Sequence, residues 1–341
     1  MPWFAREINA HYKEVTVPSK PWTDFPVVVS ANQFGPKFLI KELFPLADRM
    51  RDVAENGGNN SLQGHEVFLL FYEASTRTIT SFKRATKLLG ADYDYTESAR
   101  QFSSAIKGES LEDTVRILNG YYYSLIVIRY DETGGAARAA RASEIPVINA
   151  GDGNGEHPTQ ALLDLYTIYS QFSHFDGLRV ALVGDLHNSR TIHSLATLLA
   201  KMGGVELSLV SPSKFRIDDH HTRPFLVESG CKFKEVSNLM EVAGEVDVVY
   251  LTRLQTERLK AVTKSNALDW GGEGNVCVCI NDEVLGAMQK EAIILHPLPR
   301  SDDFVELPEK LDTDPRVQIF QQAQNGLFVR MALLEMILGV S

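Results

Sequence analysis

The sequence predicts an α/β protein built as two doubly wound parallel-sheet domains, with the active site in the cleft between them. Three observations carry this. Short apolar runs alternate with amphipathic helical stretches along the whole chain, the pattern of parallel α/β architecture. A polar, glycine-ended tract, SHFDG at 173–177, breaks that series and suits a domain junction. Hydroxyl, amide and basic residues gather just after the apolar runs, at the carboxyl ends of strands where such sheets hold ligands. At 341 residues the chain is long enough for two ordinary domains.

The first stretch, to about Val29, has four prolines and two tryptophans and reads as an irregular extension. EVFLLF (66–71) is a short buried-strand pattern, and TSFKRATKLLG after it has helical spacing, with Phe82, Ala85 and Leu88 on one face. ADYDYT, SLIVIR and PVINAG are the next strands, followed by a long helix over GEHPTQALLDLYTIYSQF with Leu162, Leu165, Tyr169 and Phe172 on one face. A second set of strands comprises LRVALVGD, ELSLVS, VDVVYLT and EAIILH. NGLFVRMALLEMILG is the last helix, whose apolar side must be buried, and we place it back on the first domain. The expected division is 1–173 for the first domain, with 1–29 as the irregular extension and the C-terminal helix 320–341 completing it, and 174–319 for the second.

Composition narrows the function. With 34 basic against 44 acidic residues the net charge is −10, which argues against a general nucleic-acid binder but allows a locally positive cleft. Cys231, Cys277 and Cys279 are too few and wrongly spaced for a disulfide framework or a four-ligand zinc site. Cys277 and Cys279 alternate within NVCVCI and are expected on one side of a strand as small apolar residues. A reducing cytosol fits this cysteine usage. No apolar run is long enough to span a bilayer, and MPWFAREINAHYKEV lacks both a signal h-region and an arginine-rich transit pattern. The expectation is a cytoplasmic protein without membrane or nucleic-acid partners.

Ser75, Thr76, Arg77 and Thr78 stand at a strand-to-helix turn, where unpaired first-turn amides meet the positive end of the helix dipole and form a ready anion site. The plainer reading is a Ser/Thr cap with a solvated arginine. Arg129 ends the SLIVIR strand, and His157 and Gln160 lie one turn apart at the entrance of the long helix. Arg190 opens the helix after LRVALVGD, Arg253 and Gln255 follow VDVVYLT, and Leu298-Pro299 form an apolar turn after EAIILH. Singly, each arginine reads as a solvated charge and the histidine as a structural one. Together, the four arginines suggest a ligand with several anionic groups, since guanidinium pairs carboxylate and phosphate bidentately. A dinucleotide site is disfavoured because Gly184 is followed by Asp185 without the glycine fingerprint, and neither a Walker A sequence nor a nucleophile elbow is present.

STRT, HPTQ, GDL...R, TRLQ.ER and HPLPR, in this order, resemble the aspartate carbamoyltransferase catalytic chain, within the aspartate/ornithine carbamoyltransferase family, over about Ser30 to Val340. TRLQTER and HPLPR narrow the match toward aspartate, because ornithine-specific relatives typically carry a cysteine-containing HCLP turn. The resemblance implies that Ser75, Thr76, Arg77 and Thr78 hold the phosphate of carbamoyl phosphate, with Arg129 helping. Thr78, Arg129 and His157 would polarise the carbamoyl oxygen. Gln160 and the Leu298 and Pro299 carbonyls would orient the carbamoyl amide. Arg190, Arg253 and Gln255 would clamp the two carboxylates of L-aspartate.

FSSAIKGESLEDT resembles the mobile loop whose Ser103 (carbamoyl phosphate) and Lys107 (catalysis and aspartate) reach into a neighbouring subunit's site, which implies a homotrimer with shared sites. A regulatory chain or another pathway enzyme is a further partner class that the resemblance allows. Ile79 departs from the pattern, standing where the family often has another arginine, and Ile106 replaces a polar or basic neighbour of Lys107 found in some members.

The implied chemistry is transfer of the carbamoyl group to the α-amine of aspartate, giving N-carbamoyl-L-aspartate and phosphate for pyrimidine synthesis, with no cofactor and no metal. Aligned donors stabilise charge developing on the carbonyl oxygen and the departing phosphate. Two alternatives stand beside it: a carbamoyltransferase with another amino-acid acceptor, and a non-catalytic relative. A nicotinamide dehydrogenase ranks last, without its glycine fingerprint.

Overall fold

The structure, a computed structural model, describes residues 27–102, 108–217, 222–254, 276–300 and 304–339. Contacts divide the chain into two compact units, Met1–Tyr166 with Ala323–Ser341, and Thr167–Gln322.

In chain order the first unit holds β1 (Val27–Val28), α1 (Phe44–Glu55), β2 (Glu66–Phe71), α2 (Thr76–Leu88), β3 (Asp92–Thr96), α3 (Ala99–Phe102) and α4 (Leu111–Asn119). It continues with β4 (Leu125–Tyr130), α5 (Gly135–Ala142), β5 (Val147–Asp152) and α6 (Pro158–Phe172). Its sheet is parallel throughout, in the order β1-β5-β4-β2-β3. The chain runs outward from β2 to β3 and then returns to the other side of β2 as β4, so the strand order reverses between β2 and β4. Ligand crevices in open parallel sheets lie at such reversals, beyond the carboxyl ends of the strands.

The second unit holds β6 (Arg179–Val183), α7 (Arg190–Met202), β7 (Glu206–Val210), α8 (Thr222–Glu228), β8 (Lys232–Val236), β9 (Val248–Leu251), α9 (Asp282–Ala287) and β10 (Ile293–Leu295). The chain then enters α10 (Ile319–Leu338). The sheet order is β10-β9-β6-β7-β8, again all parallel, with its reversal between β6 and β9. The expectation of two doubly wound parallel sheets is met. The contact division falls inside α6 and inside α10.

Burial explains why the central strands read as continuous apolar runs. β4, β6 and β9 are covered on both faces, and Leu125, Ile126, Val127 and Ile128 are wholly inaccessible. α2 turns Phe82, Ala85 and Leu88 inward, as its spacing predicts. At the end of α6, Ser173 adopts φ 62° and its N–H donates to Tyr169 O at 2.7 Å, so the polar tract does terminate that helix.

Three local readings need correction. The end of the stretch expected to be irregular is ordered: Val27–Val28 pair with β5, Val28 and Val29 are buried, and Ser30 caps the next turn. Glu156 fixes that turn by accepting from Ser30 Oγ and Ala31 N, each at 2.6 Å. Cys277 and Cys279 lie in no strand but on a segment with one isolated bridge, Asn238 to Cys277. Val278 and Ile280 are buried between and after them, so the alternation is real while the ladder is missing. The third is β8, unforeseen because KFKEV carries three charges; as an edge strand it needs only half its side chains buried.

Candidate active site

Strand order decides which expected residues become neighbours. In the first unit, β5, β4 and β2 are adjacent, and their carboxyl ends lead to His157 and Gln160, to Arg129, and to Ser75–Thr78 respectively. In the second, β10, β9 and β6 are adjacent, and lead to Leu298-Pro299, to Arg253 and to Arg190. Each group flanks its sheet's reversal point.

Ser75 occupies the N-cap position of α2, but its side chain makes no capping hydrogen bond, so the plain cap reading does not account for it. Thr78 is buried, and its carbonyl accepts from Ser81 Oγ at 2.9 Å. Arg77 is exposed, and desolvation by the surrounding protein lowers its pKa. A guanidinium nevertheless stays protonated at neutral pH. Ile79 is buried, which places the departing residue in the core rather than among the exposed groups of the turn.

Arg129 pairs in register with Phe71 of β2, next to an irregularity between Ile128 and Tyr130 in the β4–β5 pairing. Such a shift re-aims a side chain at a strand end. Its Nη1 donates to Ala150 O at 3.2 Å, and its Nε lies 3.4 Å from Glu73 Oε2. The loop into α6 is organised by Asp152, fully buried, whose carboxylate accepts from Gly134 N at 3.0 Å and Glu156 N at 2.9 Å. That loop delivers His157, buried, with its carbonyl closing the first turn of α6 onto Gln160 N and Ala161 N. Gln160 Nε2 donates to Asp164 Oδ1 at 2.9 Å. This pairing commits the amide nitrogen to Asp164 and leaves Oε1 as the acceptor end of the side chain.

Behind these helices lies a charge that the motif reading passed over. Arg330, on α10, is buried, donates from Nη1 to Ser81 Oγ at 2.8 Å and stands 5.3 Å from the centre of the Phe82 ring. Burial pulls its pKa down to about 10, while the Asp164 carboxylate opposes that fall. The guanidinium is thus tied to α2 by the Ser81 hydrogen bond and to α6 by the charge of Asp164, the two helices that begin beside Ser75–Thr78 and His157. A charge inside an otherwise apolar helical run, as in ALLDLYTIY and GLFVRMALL, is the sequence signal that could have found the pair.

In the second unit Arg190 is the first residue of α7, behind Ser189 at the N-cap, and is half-buried like Arg253. Ser189 Oγ and Thr252 Oγ1 are 3.1 Å apart, linking the residue before each arginine. Their strands come very close here. Gly184 has φ 117°, and a Cβ on it would lie 2.3 Å from Thr252 O, so the turn after β6 accepts only glycine. The Leu298-Pro299 peptide is cis, and Leu298 has φ 60°, unusual for a bulky residue. Ser103, Lys107, Ile106 and Gln255 lie outside the described residues. Among the described residues no His, Cys, Asp and Glu group could hold a metal ion.

Two all-parallel sheets of this order, with hydroxyl and guanidinium groups beside both reversals, suit a protein that handles anionic ligands, and sequence comparison gives the family. The model of the carbamoyl-P binding domain of aspartate/ornithine carbamoyltransferases matches residues 28–170, and that of the Asp/Orn binding domain matches 176–337. The chain belongs to the aspartate/ornithine carbamoyltransferase family.

Within it, the chain is 48% identical over 312 residues to the chloroplastic aspartate carbamoyltransferase of Arabidopsis thaliana, covering 91% of this chain and 77% of that one. It is 43% identical over 299 residues to the aspartate carbamoyltransferase catalytic subunit of Methanothrix thermoacetophila, covering 88% and 94%. Aspartate transcarbamoylase from Trypanosoma cruzi in complex with carbamoyl phosphate and aspartate superposes with a TM-score of 0.81 at 34% identity, covering 92% of this chain and 95% of that one. The same enzyme bound to N-(phosphonacetyl)-L-aspartic acid gives 0.81 at 34% identity, with the same coverage.

Proposed function

We propose that this protein transfers the carbamoyl group of carbamoyl phosphate to the α-amine of L-aspartate, yielding N-carbamoyl-L-aspartate and phosphate, a step of de novo pyrimidine synthesis. What supports the reading is that hydroxyl, guanidinium and amide side chains stand at three neighbouring strand ends in each sheet, around both reversal points.

In this reading the first turn of α2, with Ser75, Thr76, Arg77 and Thr78, receives the phosphate, and Arg129 adds a second guanidinium. Thr78, Arg129 and His157 donate toward the carbonyl oxygen, where negative charge grows as the amine adds. Gln160 Oε1 and the carbonyls of Leu298 and Pro299 accept from the carbamoyl NH2. Arg190, Arg253 and Gln255 hold the aspartate carboxylates, and Lys107 adds positive charge near both substrates. The amine nitrogen forms the new C–N bond, the C–O bond to phosphate breaks, and the departing phosphate takes the amine proton. No protein nucleophile takes part.

The working assembly in this reading is a homotrimer in which Ser103 and Lys107 serve the site of a neighbouring chain, supported by the likeness of their loop to the family's. Three free cysteines suit a reducing compartment, and we take the cytosol as the location, although the plant relatives are named chloroplastic. No described helix is long and apolar enough to cross a membrane.

The test is carbamoyl transfer measured against aspartate, asparagine and ornithine. Aspartate should be preferred over asparagine by a factor on the order of a hundred or more, because a neutral amide leaves a guanidinium without its carboxylate. Equal kcat/KM for aspartate and asparagine would remove the two-carboxylate clamp, and a preference for ornithine would reassign the acceptor.

A further inference from the structure

The turn that carries Leu298 and Pro299 is held by a buried dyad with no part in the chemistry above. His296 and Glu306 are 2% and 0% exposed, and His296 Nε2 lies 2.8 Å from Glu306 Oε1. Its backbone N–H and second ring nitrogen are also engaged. Its backbone N–H donates to Gln322 Oε1 at 2.8 Å, and its Nδ1 accepts from Leu298 N at 2.8 Å. The last contact decides the protonation state. A backbone N–H can only donate, so Nδ1 must carry a lone pair, the ring must be neutral, and the ring proton must sit on Nε2.

Glu306 is the group that keeps it there. A carboxylate oxygen accepts the Nε2 proton, and the glutamate itself is fixed in the fold, its carbonyl accepting from Ile280 N at 2.8 Å and its N–H donating to Phe304 O at 3.1 Å. Were the proton to move to Nδ1, an N–H would face the Leu298 N–H at hydrogen-bond distance, and the turn would open. What the turn gains is a conformation that leucine does not adopt by itself. With φ 60°, Leu298 is held at a cost on the order of 1–3 kcal/mol that the surroundings must offset. The Leu298 N–H to Nδ1 bond is one such restraint, and it fixes the Pro297–Leu298 peptide plane, which immediately precedes the Leu298 and Pro299 carbonyls.

We propose that Glu306 and His296 are positioning residues: Glu306 locks His296 in the Nε2–H tautomer, and the ring aims the Leu298 and Pro299 carbonyls at the carbamoyl amide. This rests on the reading of those carbonyls given above. It predicts a selective effect, because only a ligand with an N–H at that place senses the carbonyls. Acetyl phosphate carries a methyl group where carbamoyl phosphate carries NH2 and otherwise shares its phosphate and carbonyl.

The test compares binding of the two ligands to the wild-type protein, to Glu306→Leu and to Glu306→Gln. Glu306→Leu should weaken carbamoyl phosphate about tenfold, or about 1.4 kcal/mol, and leave acetyl phosphate within twofold. Glu306→Gln, whose amide oxygen still accepts from Nε2–H, should restore most of the carbamoyl phosphate affinity. Equal weakening of both ligands would mean general damage to the site, and no weakening of either would mean an idle dyad; each overturns the proposal. Nitrogen-15 spectra of histidine-labelled wild-type protein, with His296 assigned by its loss in His296→Asn, supply a readout that needs no folded Glu306 variant. The Nε2–H tautomer supports the lock, and an imidazolium or Nδ1–H form refutes it. A wild-type protein that binds neither ligand would instead sink the functional reading, leaving the tautomer result to stand alone.

Discussion

Replacing Arg330 by methionine should destabilise the first unit by about 1.5–3 kcal/mol, the usual worth of a hydrogen bond from a charged donor. The structure sets the terms. Arg330 is 3% exposed and Asp164 wholly buried, so solvent cannot stand in for the lost charge. Methionine refills the stem and keeps apolar contact with the Phe82 ring, but Ser81 Oγ loses a donor at 2.8 Å and the Asp164 carboxylate loses its opposing cation. Adding Asp164→Leu removes the carboxylate whose charge favours the guanidinium, so the double variant should lose about 1 kcal/mol less than the sum of the two single variants, a coupling energy of about 1 kcal/mol. Turnover should not recover in the double variant. Gln160 Nε2 has Asp164 Oδ1 as its anchor, and without that acceptor the carboxamide is free to turn its oxygen away from the substrate. The assay is amide hydrogen exchange at α2 and α6, which reads the first unit by itself, with urea unfolding by circular dichroism and steady-state kinetics on the same four proteins. A coupling below about 0.5 kcal/mol would refute the link. Full activity in the double variant would show that Asp164 does not position Gln160.

Two further outcomes test the remaining assignments. Arg77→Ala should fold normally, since its side chain is exposed, yet lose on the order of 3 kcal/mol of transition-state stabilisation; near-normal kcat/KM for carbamoyl phosphate would remove Arg77 from the phosphate cradle. His157→Ala and Lys107→Ala should each be nearly inactive alone, but refolding them together should restore about a quarter of wild-type activity if each site in a closed three-fold ring draws the two residues from adjacent chains. A demonstrably mixed trimer without rescue would exclude the shared site.

Much of this architecture was legible from local pattern. EVFLLF, SLIVIR, LRVALVGD and VDVVYLT each announce a doubly covered strand because the apolar run is continuous, and the polar residue that ends each run marks the crevice side of the sheet. β8 escaped because an edge strand tolerates charge, and β1 because its short ladder leaves no period to detect. The cysteines of NVCVCI show the opposite failure, an alternating pattern without a partner strand to make it a ladder.

The sequence by itself determined the two sheets, the chemical character of the groups at their strand ends, and the family those motifs belong to. These depend on short-range physics: side-chain period, turn residues and first-turn amides act over a few neighbours and are written consecutively. Only the tertiary structure decided that the strand order reverses between β2 and β4 and between β6 and β9, where the arginines lie. It also decided that the Leu298 N–H meets His296 Nδ1 and that Asp164 acts on the buried Arg330 charge. Those outcomes follow from burial. Away from water a donor or a charge must find its partner within the protein, and that partner is selected by packing rather than by position along the chain.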